Sequence, residues 1–349
     1  LILQAANTIS NSLIQPTIRA KPFPENITPT FLTLLHSLGQ LGVGQQNTAS
    51  ASLMKVFRRD VSEIFSSSNF FDTTTSTFSD HWARILKLLS NKDRERIITD
   101  LLSKIVPPTT AGIVFGVGAT SARMEADART KSTLKRITTL VLADVKDAWV
   151  AALPAVFGKV TELLTATTTS SPSSATRAEI YVLLRALIVR ASPVHLSFMW
   201  PTLNSELEAC LSSCLPGGNS REAEREREVW DGAALVQGCK LLEGLLDVAP
   251  EEWMVGEWTF VRDGADATGR VDEELAVALT DRLSLELGNG GGEEKVDLSF
   301  ETDGVEREDV ILRLRPFFAG LAKRHMDALL RDMGDHNIDE VGMWKGVVR

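Results

Sequence analysis

The sequence predicts an all-α protein, an irregular helical stack in which successive helices pair antiparallel. Three observations carry that prediction. Apolar residues recur at i, i+3, i+4 and i+7 in segment after segment, the one-sided pattern of a packed helix. Short runs of Pro, Gly, Ser and Thr separate the segments, and short connections favour antiparallel neighbours. Strand-like alternation is confined to 296–300, too isolated to build a sheet. Because no fixed repeat length emerges, the arrangement is an irregular HEAT- or armadillo-like α-solenoid rather than a regular array. A chain of 349 residues, 44% of them hydrophobic, carries enough apolar surface for a large core.

Taken in order, residues 1–14 read as a helix, 16–29 as a proline-punctuated connection, and 30–41 as a second helix ending in the glycines at 39–44. In 52–65, Leu53, Val56, Phe57, Val61, Ile64 and Phe65 fall at helical spacing, and the Thr/Ser-rich stretch 66–77 is a loop. Ser79 is placed to cap a helix through Leu89. Asn91 is placed to cap the next, whose apolar face is Ile97, Ile98, Leu101, Leu102 and Ile105. Residues 122–152 form the longest helical candidate, and a further helix starts at Pro154. These elements make a subdomain 1–164. The run TATTTSSPSSAT follows as a low-complexity linker or loop, 165–176.

The second subdomain, 177–349, opens on the stretch that organises the chain. Ile180, Leu183, Leu184, Leu187, Ile188 and Ala191 line one helix face, while Tyr181, Val182, Ala186 and Val189 make much of the opposite face apolar, as in a central helix. Ser192 then takes the N-cap place with Pro193 in the first turn, so a second helix starts at once. It kinks or restarts at Pro201, directly after Trp200. Glu206 is placed as a partner for Arg190 across this pair, and His195 for a structural role near Trp200. A Pro/Gly turn and alternating Arg and Glu occupy 216–228; 229–248 is a leucine-rich helix. A less regular aromatic segment carries Trp253, Trp258 and Phe260. Helices at 272–287 and 306–332 follow, the last interrupted by Pro316.

Charge narrows the functional classes. Residues 250–309 hold 18 Asp and Glu against 5 Lys and Arg, which is −13 of a total of −9 and leaves +4 elsewhere. The best basic cluster, Arg123, Arg129, Lys131, Lys135 and Arg136, is diluted by Glu125 and Asp127. It therefore reads as the solvated side of a helix rather than a nucleic-acid interface, and no nucleic-acid partner is expected. Three cysteines, Cys210, Cys214 and Cys239, fit a reducing cytosol and buried packing, and no zinc site is expected. No signal peptide is expected, and a chain beginning Leu1-Ile2-Leu3 is expected to be part of a longer protein. The greasiest stretch, around 180–200, contains Arg185 and Arg190, so any membrane contact is expected to be peripheral.

Enzyme signatures are missing. Gly116-Val117-Gly118 lacks the third glycine and the preceding strand of a dinucleotide loop, and neither a phosphate-binding loop nor a nucleophile elbow occurs. No catalytic residue, metal or cofactor is expected. Leu235, Leu242, Leu245 and Leu246 approach zipper spacing, so the helices 177–191 and 229–249 need cover from their own chain or from a second copy in a homodimer.

One run is specific enough to carry a resemblance. ALIVRASPVHLSFMWPTLNSEL, residues 186–207, resembles the C-terminal signature of the Dopey family, with Arg190, Ser192, Pro193, His195, Leu196, Trp200, Pro201, Glu206 and Leu207 in the family's places. Residues 234–260, with Glu257 and Trp258, are similar to a second family block, and Pro316-Phe317-Phe318 to a third. The glycine-rich insert at 288–292, the Arg/Glu run at 221–228 and the first third of the chain depart from that pattern. The resemblance implies a large cytosolic scaffold attached peripherally to Golgi and endosome membranes. It implies work between endosomes and the trans-Golgi network, with an Arf-exchange-factor-like scaffold, a phospholipid flippase and kinesin machinery as partners. A second reading gives Arg129, Lys131, Lys135 and Arg136 the task of holding phosphatidylinositol 4-phosphate.

Overall fold

Helices form where the apolar period is longest. The computed structural model describes residues 2–19, 29–43, 48–67, 70–73, 79–91, 93–105, 119–165, 174–215, 229–248, 251–253, 256, 259–261, 278–287 and 298–330. Among these residues every regular element is helical and none is a strand; 298–300, from the strand-like run, are irregular. No described helix is long and apolar enough to cross a membrane.

The chain divides into two compact units, one built from Leu1–Ile105 and Ser132–Ala155, the other from Val106–Lys131 and Val156–Ile338. Unit 1 begins with α1 (Ile2–Ile9), a π-helical turn (Ser10–Ile14) and α2 (Gln15–Arg19) in one continuous run. The helix thus passes through Pro16, where the sequence places a connection. A proline ring clashes with the carbonyl four residues back, and the widened turn before Pro16 relieves that clash. Next come α3 (Pro29–Val43), α4 (Thr48–Ser66), the short α5 (Phe70–Thr73), α6 (Ser79–Ser90) and α7 (Arg94–Leu102). Helix α3 packs on α4 and α6, so Leu32, Leu35, Phe57, Val61, Ile64, Ile85 and Leu86 form the core. Gly39 does not end its helix: a Cβ there would lie 2.8 Å from the Phe57 ring, so the glycine permits close helix approach.

The longest predicted helix stops early. Helix α8 (Ala119–Ala143) gives way at Asp144, whose carboxylate accepts from Ser90 Oγ at 3.0 Å, Arg94 Nε at 2.8 Å and its neighbour's Val145 N–H at 2.9 Å. A residue bonded that way caps a turn rather than continuing a helix. Asp147 follows in the left-handed region at φ 63°, before a 3₁₀ turn (Val150–Ala152) and α9 (Leu153–Leu164).

Unit 2 centres on α10 (Ser174–Arg190), which is buried on both faces as the sequence predicts, Ile180, Leu183, Tyr181 and Ala186 being inaccessible. Two 3₁₀ turns (Pro193–His195 and Ser197–Met199) lead to α11 (Trp200–Ser212), so the chain restarts at Trp200 with Pro201 in the first turn. Helices α12 (Gly232–Val248), α13 (Leu279–Leu287) and α14 (Arg307–Leu330) complete it; α12 packs on α10, α11 and α14. Helix α14 is not interrupted at Pro316. The bond lost there is to Leu312, an exposed residue whose carbonyl water can serve. Leu235, Leu242 and Leu245 of the zipper-like set are buried in this core, and Leu246 is half-buried.

Candidate functional site

Helix α11, entered through the Trp200-Pro201 pair, is tied to its surroundings by a side chain at nearly every turn. Asn204 Oδ1 accepts from Trp253 Nε1 at 2.7 Å, and the Trp253 ring stacks on Phe260. Glu206 accepts from Arg177 and, at 2.7 Å on the same oxygen, from the Tyr181 hydroxyl. Cys210 faces Gly238 of α12, where a Cβ would come within 2.8 Å of its sulfur. Ser213, one residue past the helix, takes Arg307 Nη2 on its carbonyl at 2.7 Å and on its hydroxyl at 3.0 Å.

Arg177 is the centre of this network. Besides its bond to Glu206, Nη2 donates to the Leu164 carbonyl at 3.2 Å, the C-terminal end of α9, where the helix dipole favours a cation. The guanidinium also lies 5.3 Å over the Trp230 ring, in cation–π range. Trp230 Nε1 in turn donates to the Tyr181 oxygen at 2.9 Å, and its carbonyl accepts from Arg307 Nε at 2.9 Å. Arg177 and Tyr181 stand one helical turn apart, so the same face of α10 supplies both partners of Glu206. The cation on Glu206 is therefore Arg177, at the start of α10, where the sequence places Arg190, at its end.

The electrostatics favour a rigid, unreactive centre. Burial, with Cys210 and the Glu206 carboxylate alongside, pushes the Tyr181 phenol well above its ordinary value. Burial likewise pushes Cys210 and Cys239 well up, and Cys214 to about 12. Thiols held protonated are poor nucleophiles and poor metal ligands. An unfolded thiol loses its proton above about pH 8.5, while the native ones keep theirs, so native stability is intact below that pH and falls as pH rises toward 12. The urea midpoint is expected to drop steeply between about pH 8.5 and pH 11 by this linkage; a Cys214→Ala variant should lose part of that dependence.

The signature residues separate by depth. Trp200, Leu196 and Met199 are buried, whereas Val194, His195, Phe198 and Pro201 are exposed, with Phe198 edge-on to Phe157 at 5.3 Å. Arg190 is half-buried in the last turn of α10. Ser192 has the extended backbone of an N-cap, φ −67° and ψ 139°; its carbonyl accepts from the His195 N–H at 2.9 Å, while its side chain makes no capping bond. Pro193 occupies the first turn. Glu257 and Trp258 lie outside the described residues.

The basic residues of α8 do different things. Arg129 is exposed and paired with Glu125 one turn earlier, and Lys131 is half-buried. Lys135 places its ammonium 5.9 Å from the Phe71 ring centre. Arg136 is buried and donates to the carbonyls of Phe65 at 2.7 Å and Ser67 at 2.9 Å, closing the C-terminus of α4. Arg136→Ala, by removing the buried donor to the Phe65 carbonyl and one of the two donors to that of Ser67, is expected to cost about 1–3 kcal/mol, read as a lower urea midpoint.

Sequence reasoning missed Arg177, Tyr181, Asn204, Trp230 and Arg307 as members of one site. The available signal was a pair of polar residues, Arg177 and Tyr181, one turn apart at the start of a helix whose middle is apolar on both faces.

The family described as "DOP1 C-terminal" matches residues 2–332. Protein dop1 of Emericella nidulans is 37% identical over 287 residues, covering 82% of this chain and 14% of that protein. Protein pad-1 of Caenorhabditis briggsae is 25% identical over 284 residues, 78% of this chain and 12% of that protein. The chain thus spans a small part of the length of these relatives. No solved structure matches.

Proposed function

We propose a function from one premise: the chain belongs to the family described as DOP1 C-terminal. In this reading it is a non-enzymatic scaffold and interaction module of a peripheral membrane-traffic protein that acts between endosomes and the trans-Golgi network. It works by presenting fixed helical surfaces, with no bond made or broken. The observation that carries this reading is the family match from residue 2 to 332, which takes in the run SPVHLSFMWP at 192–201. The way α11 is tied to α10, α12, Trp253 and Arg307 supports it, since a surface that selects partners gains from being held in one shape. The proposed partners are an Arf-exchange-factor-like Golgi scaffold, a phospholipid flippase and kinesin machinery.

Crosslinking mass spectrometry of the full-length protein in its membrane-derived complex tests this. Crosslinks from the exposed Lys55, Lys104 and Lys146 to other polypeptides are expected. Links confined to the protein's own chain would sink the reading. Attachment to phosphatidylinositol 4-phosphate is measured separately, by liposome flotation with and without that lipid at low and high salt. Because Arg136 is committed to α4, charge reversal of Lys131 and Lys135 is the informative variant, and little change in flotation is expected. Self-association is read by light scattering. With Leu235, Leu242 and Leu245 used in the chain's own core, the expected mass is 38.2 kDa at every concentration; a mass rising toward twice that value would restore the homodimer.

A further inference from the structure

In an α-helix each residue turns the axis by about 100°, so residues five apart point about 140° away from each other. Ser10 and Gln15 are five apart, yet both hold one carboxylate. Ser10 Oγ donates to Asp60 Oδ2 at 2.6 Å and Gln15 Nε2 to Asp60 Oδ1 at 2.6 Å. A regular helix cannot do this. The chain manages it with the π turn Ser10–Ile14, in which the Gln15 N–H bonds the Ser10 carbonyl five residues back. Such a turn holds one residue more than an α-turn, and turns of this kind recur at functional sites. All three groups are interior, Ser10 and Asp60 being 1% exposed and Gln15 8%. From outside, Arg59 reaches in. Its Nε and Nη2 donate to Asp60 Oδ1 at 3.0 and 2.9 Å, and Nη2 also to Ser10 Oγ at 3.1 Å, while over half of its side chain stays exposed.

We propose that the π turn Ser10–Ile14 is a register switch, held wide by the Asp60 carboxylate bound to both of its ends. With the clamp in place, residues 10 and 15 share a face and α1 packs on α4. Released, the same residues form one continuous α-helix in which each residue ahead of the turn moves into its predecessor's place, a rotation of about 100° and a shift of about 1.5 Å. Ile9, now half-buried, comes to the exposed place of Thr8, and the exposed Asn11 comes to the place of Ser10. Asn11 stands four residues before Gln15, so both of their amides reach residue 60 from the released helix; that register loses the Ser10 hydroxyl shared by Asp60 and Arg59 and carries buried Ala6 to the exposed place of Ala5, so it is the minor one while the clamp holds. That second set of donors makes the alternative a defined state rather than local unfolding. Arg59 is the accessible member of the clamp: an acidic group on a partner that draws its guanidinium away loosens the wide state.

The test uses the full chain with one engineered thiol, since Cys210, Cys214 and Cys239 are buried and label slowly. Ile9→Cys is labelled with and without Asp60→Ala. Release predicts labelling faster by about tenfold or more on Asp60→Ala, as a minor register becomes a major one, with a cooperative melt retained. Unchanged labelling in a folded Asp60→Ala protein overturns the switch. Deletion of Ser12 is the second arm, because it places Ser10 and Gln15 four apart, where an ordinary α-helix brings both to Asp60. The deleted chain is expected to melt at or above the parent temperature, with Ile9→Cys labelling as slow as before. Should Asp60→Ala fail to fold, this arm decides: a Ser12 deletion that lowers the melting temperature refutes the proposal.

Discussion

Glu206→Ala is expected to destabilise unit 2 by about 3–5 kcal/mol, the usual consequence of stranding one member of a buried ion pair. The Arg177 and Glu206 side chains are 6% and 12% exposed, so water cannot replace the lost carboxylate without opening the helix junction. Tyr181 loses its acceptor in the same step, and Trp230, which donates to the Tyr181 oxygen, loses its positioning. Removing both charges is a different experiment. Buried pairs replaced by apolar residues of similar volume are often neutral in stability, so Arg177→Met with Glu206→Leu is expected to recover most of the loss. Urea unfolding of the parent, each single variant and the pair gives the coupling directly. A Glu206→Ala protein with the parent midpoint would mean that the network contributes nothing to stability.

Trp200→Ala should be of comparable severity, about 3–5 kcal/mol for truncating a buried tryptophan. Trp200 is 6% exposed and forms the first residue of α11, so the cavity opens where that helix is seated on the core. Its indole N–H is buried without a partner among the described residues, which makes the ring's packing, not a hydrogen bond, the stabilising element. Phe198, two residues earlier and 46% exposed, is the control: Phe198→Ala is expected to cost about 1 kcal/mol or less, as surface substitutions generally do. Equal losses for the two variants would show that burial does not distinguish them. Thermal melting, with aggregation followed by scattering, measures both.

These contrasts separate what the chain states locally from what its fold decides. The helical class, the places of α3, α4, α6 and α12, and the central position of α10 were legible in the sequence, because burial of a helix face is written as apolar residues at fixed spacing and each segment carries its own copy. The family was legible for a similar reason, in one contiguous run from Arg190 to Leu207. Proline was less reliable as punctuation. Pro16 and Pro316 both lie inside helices, since a π turn in one case and an exposed carbonyl four residues back in the other remove most of the cost of the ring. The end of α8 was illegible because it depends on Asp144 meeting Ser90 and Arg94, some 50 residues earlier. The same holds for the site. Arg177 with Glu206, Trp230 with Tyr181 and Arg307 with Ser213 pair across 29, 49 and 94 residues. A polar side chain carries no mark of which distant partner will satisfy it. Hydrophobic burial needs only that a face be covered, by whatever packs there, whereas a hydrogen bond needs one particular atom in one direction, and only the tertiary structure supplies that atom.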